Sequence, residues 1–540
     1  MFSLILAAGA FFSASAAGIQ PSSAPDATQQ DLIDRGYGMF IHFGMNTFLE
    51  QEWSDGTAPA NVYAPTALDP EQWVKTAADA GFRYVIITTK HHDGFCLWDS
   101  KLTDYDVAST SQPMDVVKAV ADACRKYGLK FGIYYSLWDR HEPTYTGKNF
   151  KKYIDFMEGQ LKELLTNYGD VCEIWFDGGW DKPAEEWQIP RLYKTIKKLQ
   201  PNCAVGINNC AMLTDKPDQG GFDQMASPED MVNTGGKDIY FRYFPMDFRL
   251  ADPKIANRDD RKIYTVDGKD YYQPFEHTIC LSKKWTWFQK DEPMEVRDLD
   301  ELQELFYWCT DNDNALVINV PPDKRGLIRE NERNAVVELG NALGLKAGKP
   351  LPKGGSILKV SAASESVWDN DEANYGAMKA VDGGMTSRWA SQSATPELVL
   401  SLNPEEEFNK IVIFEYQDDH RGADFFTSKR VNRIKEYEID IMKDGNWEAI
   451  YVSDEPMGDC KVIRFPQSYQ TSSLRLKVRD SSDCPSINEL LIEQESNFKI
   501  PSGELFKPPG LRFNEQERAG KDNFKPAKSL KASRRSGGER

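Results

Sequence analysis

The sequence predicts an α/β chain: a (β/α)8 TIM-like barrel followed by an all-β jelly roll. Three observations predict it. Between about 36 and 345, apolar strand-like runs alternate with helical patterns, the mark of a parallel sheet with helices outside. About seven or eight such units on that length favour a closed barrel over an open doubly wound sheet. Past a linker at 347–356 the texture changes to short alternating runs without a long helix. No Gly-rich phosphate loop follows the first strand, which removes the main support for a dinucleotide-binding fold.

The elements run in order. GMFIHFG (38–44) is a strand, followed by the helix DPEQWVKTAADAGF (69–82). RYVIITTKHH (83–92) precedes the helix MDVVKAVADACRKYG (114–128). LKFGIYYSLWD (129–139) precedes FKKYIDFMEGQLKELLTNYG (150–169), and CEIWFDGGW (172–180) precedes EEWQIPRLYKTIKKLQ (185–200). CAVGINN (203–209) is the fifth strand. The stretch 210–275 shows no clean period. Regularity returns with the strand EHTICLS (276–282), the helix DLDELQELFYWCT (298–310), the strand NALVINVPP (314–322) and the helix ENERNAVVELGNAL (330–343). The barrel region is therefore placed at 30–346. Residues 357–495 carry KIVIFEYQ, EYEIDIMK, KVIRFP and LRLKVRD with turn residues between them, a β-sandwich pattern.

The ends read differently. Residues 1–17 form a short apolar run closing on Ala14-Ser15-Ala16, an expected signal peptide, although no Lys or Arg precedes it. The product is then expected to be secreted or periplasmic. No later run is long and apolar enough for a membrane span. Nine Cys is an odd number, so at least one has no partner within the chain; Cys172, Cys203 and Cys280 sit in apolar runs as small core residues. Residues 496–540 are rich in Pro, Gly, Ser and basic side chains and read as a solvated tail.

Composition narrows the function. Hydrophobic residues at 40% and charged residues at 27% are globular values. A net charge of −18 argues against a nucleic-acid or anionic-membrane partner. Thirteen Trp and 22 Tyr supply flat apolar faces of the kind that hold sugars, and that large cores also use.

In such a barrel the active site lies at the C-terminal ends of the strands. Strand one ends in His42, strand two in His91, His92 and Asp93, strand three in Tyr134 to Asp139, and strand four in Trp175-Phe176-Asp177-Gly178-Gly179-Trp180. Three of the six His fall at two of these ends. Asp177 is delivered by an apolar strand between aromatics. It could attack an anomeric carbon, hold a metal or act as a base, or it could simply cap the next helix. Adjacent His on a strand face opposite ways, a poor chelate, so hydrogen bonding to sugar hydroxyls suits them better.

These residues carry a resemblance. GMFIHFGMNTF, EWSDG, QWVKTAADAGFRYVIITTKHHDGFCLWDS, CRKYGLKFGIYYSLWDR, QLKELLTNYGDVCEIWFDGGW and NALVINVPPDKRGLI resemble glycoside hydrolase family 29, the α-L-fucosidases, over most of 36–345. The resemblance implies a retaining exo-α-L-fucosidase that needs no cofactor for catalysis and acts on fucosylated oligosaccharides or glycoconjugates. EWSDG and SLWDR lean toward the branch cleaving α-1,3/1,4-linked fucose. It implies Asp177 as nucleophile and His42, Glu52, Trp53, His91 and His92 as fucose-binding residues, with Tyr134 and Trp175 completing the pocket. Retention requires a second carboxyl about 5–5.5 Å from the first. Glu276, in Pro274-Phe275-Glu276-His277, is the expected acid/base by likeness to the family's Trp-Glu motif, with Trp285 and Trp287 following. Glu229 is the alternative, and the chain reads Gly206-Ile207-Asn208-Asn209 where one branch has its Glu. Competing readings are a galactoside-cleaving enzyme of the same fold and an inactive fucose-binding, lectin-like protein.

The β region resembles the discoidin or factor-5/8 type C family, a galactose-binding-like jelly roll, through Ala380-Val381-Asp382-Gly383 with Thr386, Arg388 and Trp389, and Ile487-Asn488-Glu489-Leu490. That resemblance implies a structural Ca²⁺ held by Asp382, Thr386 and Glu489, whose oxygens suit a hard cation. Trp368 and Tyr375 are the residues that could stack on a sugar, or belong to its core.

Overall fold

The computed structural model describes residues 19–180, 182–212, 239–250, 257–288, 294–416 and 432–496. Eight parallel strands close into a barrel: β1 (Tyr37–Ile41), β2 (Tyr84–Lys90), β3 (Lys130–Ser136), β4 (Glu173–Asp177), β5 (Ala204–Asn208), β6 (Phe248–Leu250), β7 (Phe275–Cys280) and β8 (Ala315–Asn319). Each pairs with its sequence neighbour, and β8 closes on β1 with Val317 opposite Gly38. All but the first residue of β3 are buried, which is why these strands read as continuous apolar runs rather than alternating ones.

A short helix, α1 (Ala27–Arg35), precedes the barrel, capped reciprocally by Asp26 and Gln29. The outer helices are α2 (Pro70–Asp79), α3 (Val116–Tyr127), α4 (Phe150–Asn167), α5 (Ile189–Leu199), α6 (Leu299–Thr310) and α7 (Glu330–Ala342). Asp69 caps α2 and Asp115 caps α3, each accepting a backbone N–H three residues on. The stripe Val116, Val117, Val120, Ala121 and Cys124 of α3 is buried, as a helix on a sheet requires. The irregular 210–275 stretch contains β6, only three residues long, and a hairpin of Ile263–Val266 with Lys269–Tyr272. Elements that short carry no readable period.

Inside the barrel, strand alternation stacks side chains in layers. Glu173, Glu276 and Tyr84 sit at the N-terminal floor. Phe40, Ile86 and Trp175 fill the middle. His42, Asp177, Asn208 and Asn319 stand at the C-terminal mouth, at or just past the last residues of their strands.

Residues 356–494 form two antiparallel five-stranded sheets around Trp389, Phe408, Ile413, Tyr437, Phe465 and Ile487. Trp368 and Tyr375 lie half-buried against Ala390 and Cys484. The barrel and sandwich share a polar seam. Buried Lys410 of the sandwich reaches Glu304 on α6 at 2.7 Å while holding Glu493 at 2.9 Å. No helix among the described residues is long and apolar enough to cross a membrane. All nine Cys are free thiols, eight of them buried.

Candidate active site

Asp177 ends β4 with three donors on its carboxylate. The Tyr134 hydroxyl donates to Oδ2 at 2.9 Å; Asn208 Nδ2 (3.0 Å) and the Gly178 N–H (2.8 Å) donate to Oδ1. Both oxygens are thus fixed in direction. Burial pushes the Asp177 pKa up to about 6, and these donors restrain the rise. At neutral pH the group is ionised and held in one rotamer.

The three histidines gather around it. His91 and His92 were expected to diverge, as neighbours on a strand do. Instead their rings lie 4.2 Å apart, because β2 ends at Lys90, with a register shift between Thr88 and Lys90, and both residues follow in the turn. Each ring has its inner nitrogen tied down, and the partners set the tautomer. Asn319 Oδ1 lies 3.1 Å from His42 Nδ1 and accepts, so Nδ1 carries the proton and Nε2 is an acceptor. Asn46 Nδ2 donates to His91 Nδ1 at 3.0 Å while Asn46 Oδ1 takes the Ser54 N–H, so His91 presents an Nε2–H donor. Ser136 Oγ donates to the Trp138 carbonyl and lies 2.7 Å from His92 Nδ1, leaving His92 Nε2 an acceptor 3.5 Å from Asp177 Oδ2. Burial pushes His42 and His92 down to about 3 and His91 well below its usual value. The imidazoles are neutral at working pH. They offer fixed donors and acceptors, which suits hydroxyl groups rather than a charged ligand.

Aromatic rings complete the enclosure. Trp285 and Trp287 lie 5.4 and 5.0 Å from the His42 ring, and Trp285 Nε1 donates to Glu52 Oε1 at 2.9 Å. Trp53 lies 6.1 Å from His92, next to Trp138 and Trp180. Trp175 and Tyr134 are register partners on β4 and β3, both fully buried, and their rings stack at 5.3 Å next to Asp177.

Glu276 is not brought to Asp177, and the expectation for it is corrected. It is the second residue of β7, at the barrel floor, and accepts from the Tyr84 hydroxyl at 3.1 Å. Its neighbour there is Glu173, four residues before Asp177, hence about 13 Å away along the strand. The 5–5.5 Å carboxyl separation of a retaining pair is out of reach. Glu276 carries a carboxyl pushed well up by burial and then by the Glu173 charge. It has the acidity expected of a proton donor at the wrong end of the barrel. Glu229 lies outside the described residues.

Asp382 and Glu489 meet at one loop of the sandwich. Glu489 Oε2 accepts the Gly383 N–H at 3.0 Å, and Asp382 Oδ1 accepts from Gly384 N and Ser387 Oγ at 3.1 and 2.7 Å. Two side-chain cations already face these carboxylates. Arg258 of the barrel stands 3.5 Å from Glu489 Oε1, and Lys379 stands 3.6 Å from Asp382 Oδ2. Arg258 and Lys379 thus supply positive charge to both carboxylates of the expected metal set.

Sequence reasoning passed over Asn208, Asn319, Asn46 and Ser136. Two of them end β5 and β8, so the strand-end rule that found Asp177 also reaches Asn208 and Asn319. Asn46 and Ser136 act through ring nitrogens and leave no separate mark.

A closed barrel whose mouth holds a buried carboxylate among neutral imidazoles and indoles has the chemistry of the sugar-cleaving class, the glycoside hydrolases. Comparison with known proteins narrows this. The family described as Alpha-L-fucosidase matches residues 20–347, and an F5/8 type C domain matches 359–490. The chain belongs to the α-L-fucosidase family. Alpha-L-fucosidase 1 of Arabidopsis thaliana is 30% identical over 466 residues, covering 84% of each chain. Alpha-L-fucosidase of Dictyostelium discoideum is 28% identical over 62% of this chain and 73% of its own. Among solved structures, a glycoside hydrolase 29 family member from an unknown rumen bacterium aligns over 91% of this chain and 80% of its own, with TM-score 0.52 and 23% identity, a likeness of fold.

Proposed function

We propose that this enzyme is a retaining, exo-acting α-L-fucosidase that removes terminal fucose from fucosylated oligosaccharides or glycoconjugates. The carrying observation is Asp177: an ionised, buried carboxylate with both oxygens aimed by Tyr134, Asn208 and Gly178. The filled layer beneath it leaves entry from the mouth only, which suits a terminal sugar. His42 and His92 accept from sugar hydroxyls and His91 donates to one. Trp285 and Trp287 offer an apolar surface for the fucose methyl.

In the first step an Asp177 oxygen bonds to C1 as the glycosidic C1–O bond breaks, and a carboxylic acid gives its proton to the leaving oxygen. In the second step the resulting carboxylate draws a proton from water, whose oxygen displaces Asp177 from C1. Two inversions restore the α configuration.

Glu229 is the candidate for the acid. Glu229→Ala should spare α-L-fucosyl fluoride far more than a fucosyl disaccharide, because fluoride leaves without protonation. Equal losses on both would remove Glu229. The α-1,3/1,4 preference is tested with linkage-defined oligosaccharides, and secretion after cleavage near Ala16 by the mass of the exported chain.

The decisive experiment follows Asp177→Gly on an aryl α-L-fucoside with added azide. Turnover should be lost, then partly restored with β-L-fucosyl azide as product. An inverted product from the wild-type protein, or turnover of galactosides alone, overturns the reading.

A further inference from the structure

The sandwich meets the barrel first through apolar packing. Val412, Phe414, Cys460, Val462 and Leu491 of the sandwich belong to one buried core with Leu305, Trp308 and Cys309 of α6. That contact holds the two parts together whatever their charges do. A separate, charged contact lies on the loop that follows β7. The Lys283 ammonium, three residues past that strand, stands 3.3 Å from Asp459 Oδ2, and Asp459 immediately precedes the sandwich strand Cys460–Tyr469.

Both partners are held from behind. Asp459 is buried, its carbonyl accepts the Glu415 N–H at 3.1 Å, and Cys460 beside it pairs with Phe414 in the sheet. Lys283 sits in the stem of its loop. Its N–H donates to the Glu295 carbonyl at 2.8 Å, Ser282 bridges Val296 in antiparallel fashion, and the Arg297 N–H returns to the Leu281 carbonyl at 2.9 Å. The ammonium also lies 3.0 Å from Glu295 and 3.4 Å from Asp298, but both of those carboxylates are exposed. Water and salt screen them, and they screen Asp459 much less. Asp298, Glu301 and Asp459 gather carboxylate oxygens within 4.8 Å of one another, with Lys283 and Arg297 as the cations set among them. Charges so arranged have few alternative positions.

Two and four residues beyond Lys283 come Trp285 and Trp287. The indole of Trp285 meets His42 and Glu52, and that of Trp287 lies 5.0 Å from His42 and 5.2 Å from His91. The turn between is tight, because the Ser282 hydroxyl and the Thr286 N–H both donate to the Lys284 carbonyl, at 2.6 and 3.0 Å. A shift of Lys283 is therefore passed to both indoles.

We infer that Asp459 of the sandwich is a positioning residue of the active site: through Lys283 it fixes the turn whose Trp285 and Trp287 wall the fucose pocket, so the second domain takes part in substrate binding. This rests on the fucosidase reading above. The indoles face the sugar away from the bond that breaks, so they hold ground state and transition state alike.

The test uses the full chain. In Asp459→Ala and in Lys283→Met, KM for an aryl α-L-fucoside and Kd for 1-deoxyfuconojirimycin should both rise about fivefold or more, with kcat within about twofold of wild type, the mark of lost uniform binding. Lys283→Arg keeps the charge and should stay near the wild-type KM. Arg464→Ala removes a different cross-domain contact, 3.8 Å from Asp300 and 3.7 Å from Glu304 on α6, and should leave KM unchanged. An equal KM rise in Arg464→Ala would assign the effect to domain docking in general and overturn the proposal. Hydrogen exchange supplies a readout free of activity. Amides of residues 281–288 should exchange about tenfold faster or more in Asp459→Ala, and at the wild-type rate in Arg464→Ala. Absence of either the KM rise or the faster exchange in Asp459→Ala overturns the proposal. A wild-type chain that neither hydrolyses fucosides nor binds the iminosugar refutes the fucosidase reading instead, and the exchange rates still decide whether Asp459 anchors the turn.

Discussion

The two ends of the barrel each bury carboxylates whose proton affinity is raised, and they use them in opposite ways. At the mouth Asp177 faces neutral donors and a neighbouring imidazole, and among the described residues no Lys or Arg forms an ion pair with it. At the floor Glu173 is ion-paired with buried Arg35, Glu276 is held by Tyr84, and the Arg35 guanidinium lies 4.8 Å over the Tyr84 ring. Burial raises the proton affinity of both carboxyls; the Glu173 charge and hydrogen bond raise Glu276 further, while the hydrogen bond from Glu276 lowers Glu173. A single proton shared between them satisfies both carboxyls and leaves the cluster neutral beside Arg35. The difference teaches that a perturbed acid marks burial. Chemistry requires in addition that a ligand can reach it.

The sharpest way to break this contrast is a pair of variants. Asp177→Gly should lower kcat on an aryl fucoside by at least about 10³-fold, whereas Glu276→Gln should change it by no more than a few-fold. Azide rescue of a Glu276 variant would reverse the assignment of the two ends.

Next in size is Glu173→Gln, which leaves the Arg35 charge buried without its full partner. Breaking such a pair costs about 3–5 kcal/mol, read as a lower denaturation midpoint with kcat of the surviving fold retained. A midpoint within error of wild type would show that water reaches the floor.

The mouth should respond to pH with the opposite sign for activity and stability. Activity needs ionised Asp177, so kcat/KM should climb through about pH 6. Stability moves the other way. The folded pKa lies above the usual 3.8, so the benefit is full below that value and is lost as pH rises through about 6. This group alone removes on the order of 3 kcal/mol between pH 4 and 7. Asp177→Asn should lack that component in a series of unfolding curves across this range. Parallel pH dependence in the two proteins would contradict it.

The smallest expected effect concerns the sandwich. Because Arg258 and Lys379 already face Glu489 and Asp382, chelator or added Ca²⁺ should move the wild-type Tm by less than about 1 °C, whereas saturating a tight site would add several kcal/mol. A clear Tm rise with Ca²⁺ would restore the metal reading.

Much of this was legible in the sequence. The 3.6-residue stripe of Val116 to Cys124 and the buried runs of β1 to β5 are local patterns, and the strand-end rule reached His42, His91, His92 and Asp177 directly. The same rule was available for Glu276. In the sequence it opens the strand run EHTICLS, so it belongs at a strand start, yet motif likeness outweighed its position. Convergence of the His91 and His92 rings was hidden, because it depends on where β2 stops pairing with β3.

By itself, then, the sequence determined which segments are strands and helices, and which reactive residues sit at strand ends, since both follow from spacing along a few turns of chain. Only the tertiary structure decided which end of the barrel each carboxylate faces, which tautomer each imidazole holds, and which cation meets Glu489. Those depend on closing β8 onto β1 and on partners tens to hundreds of residues away, as with Asn319 and His42, and no local period records them.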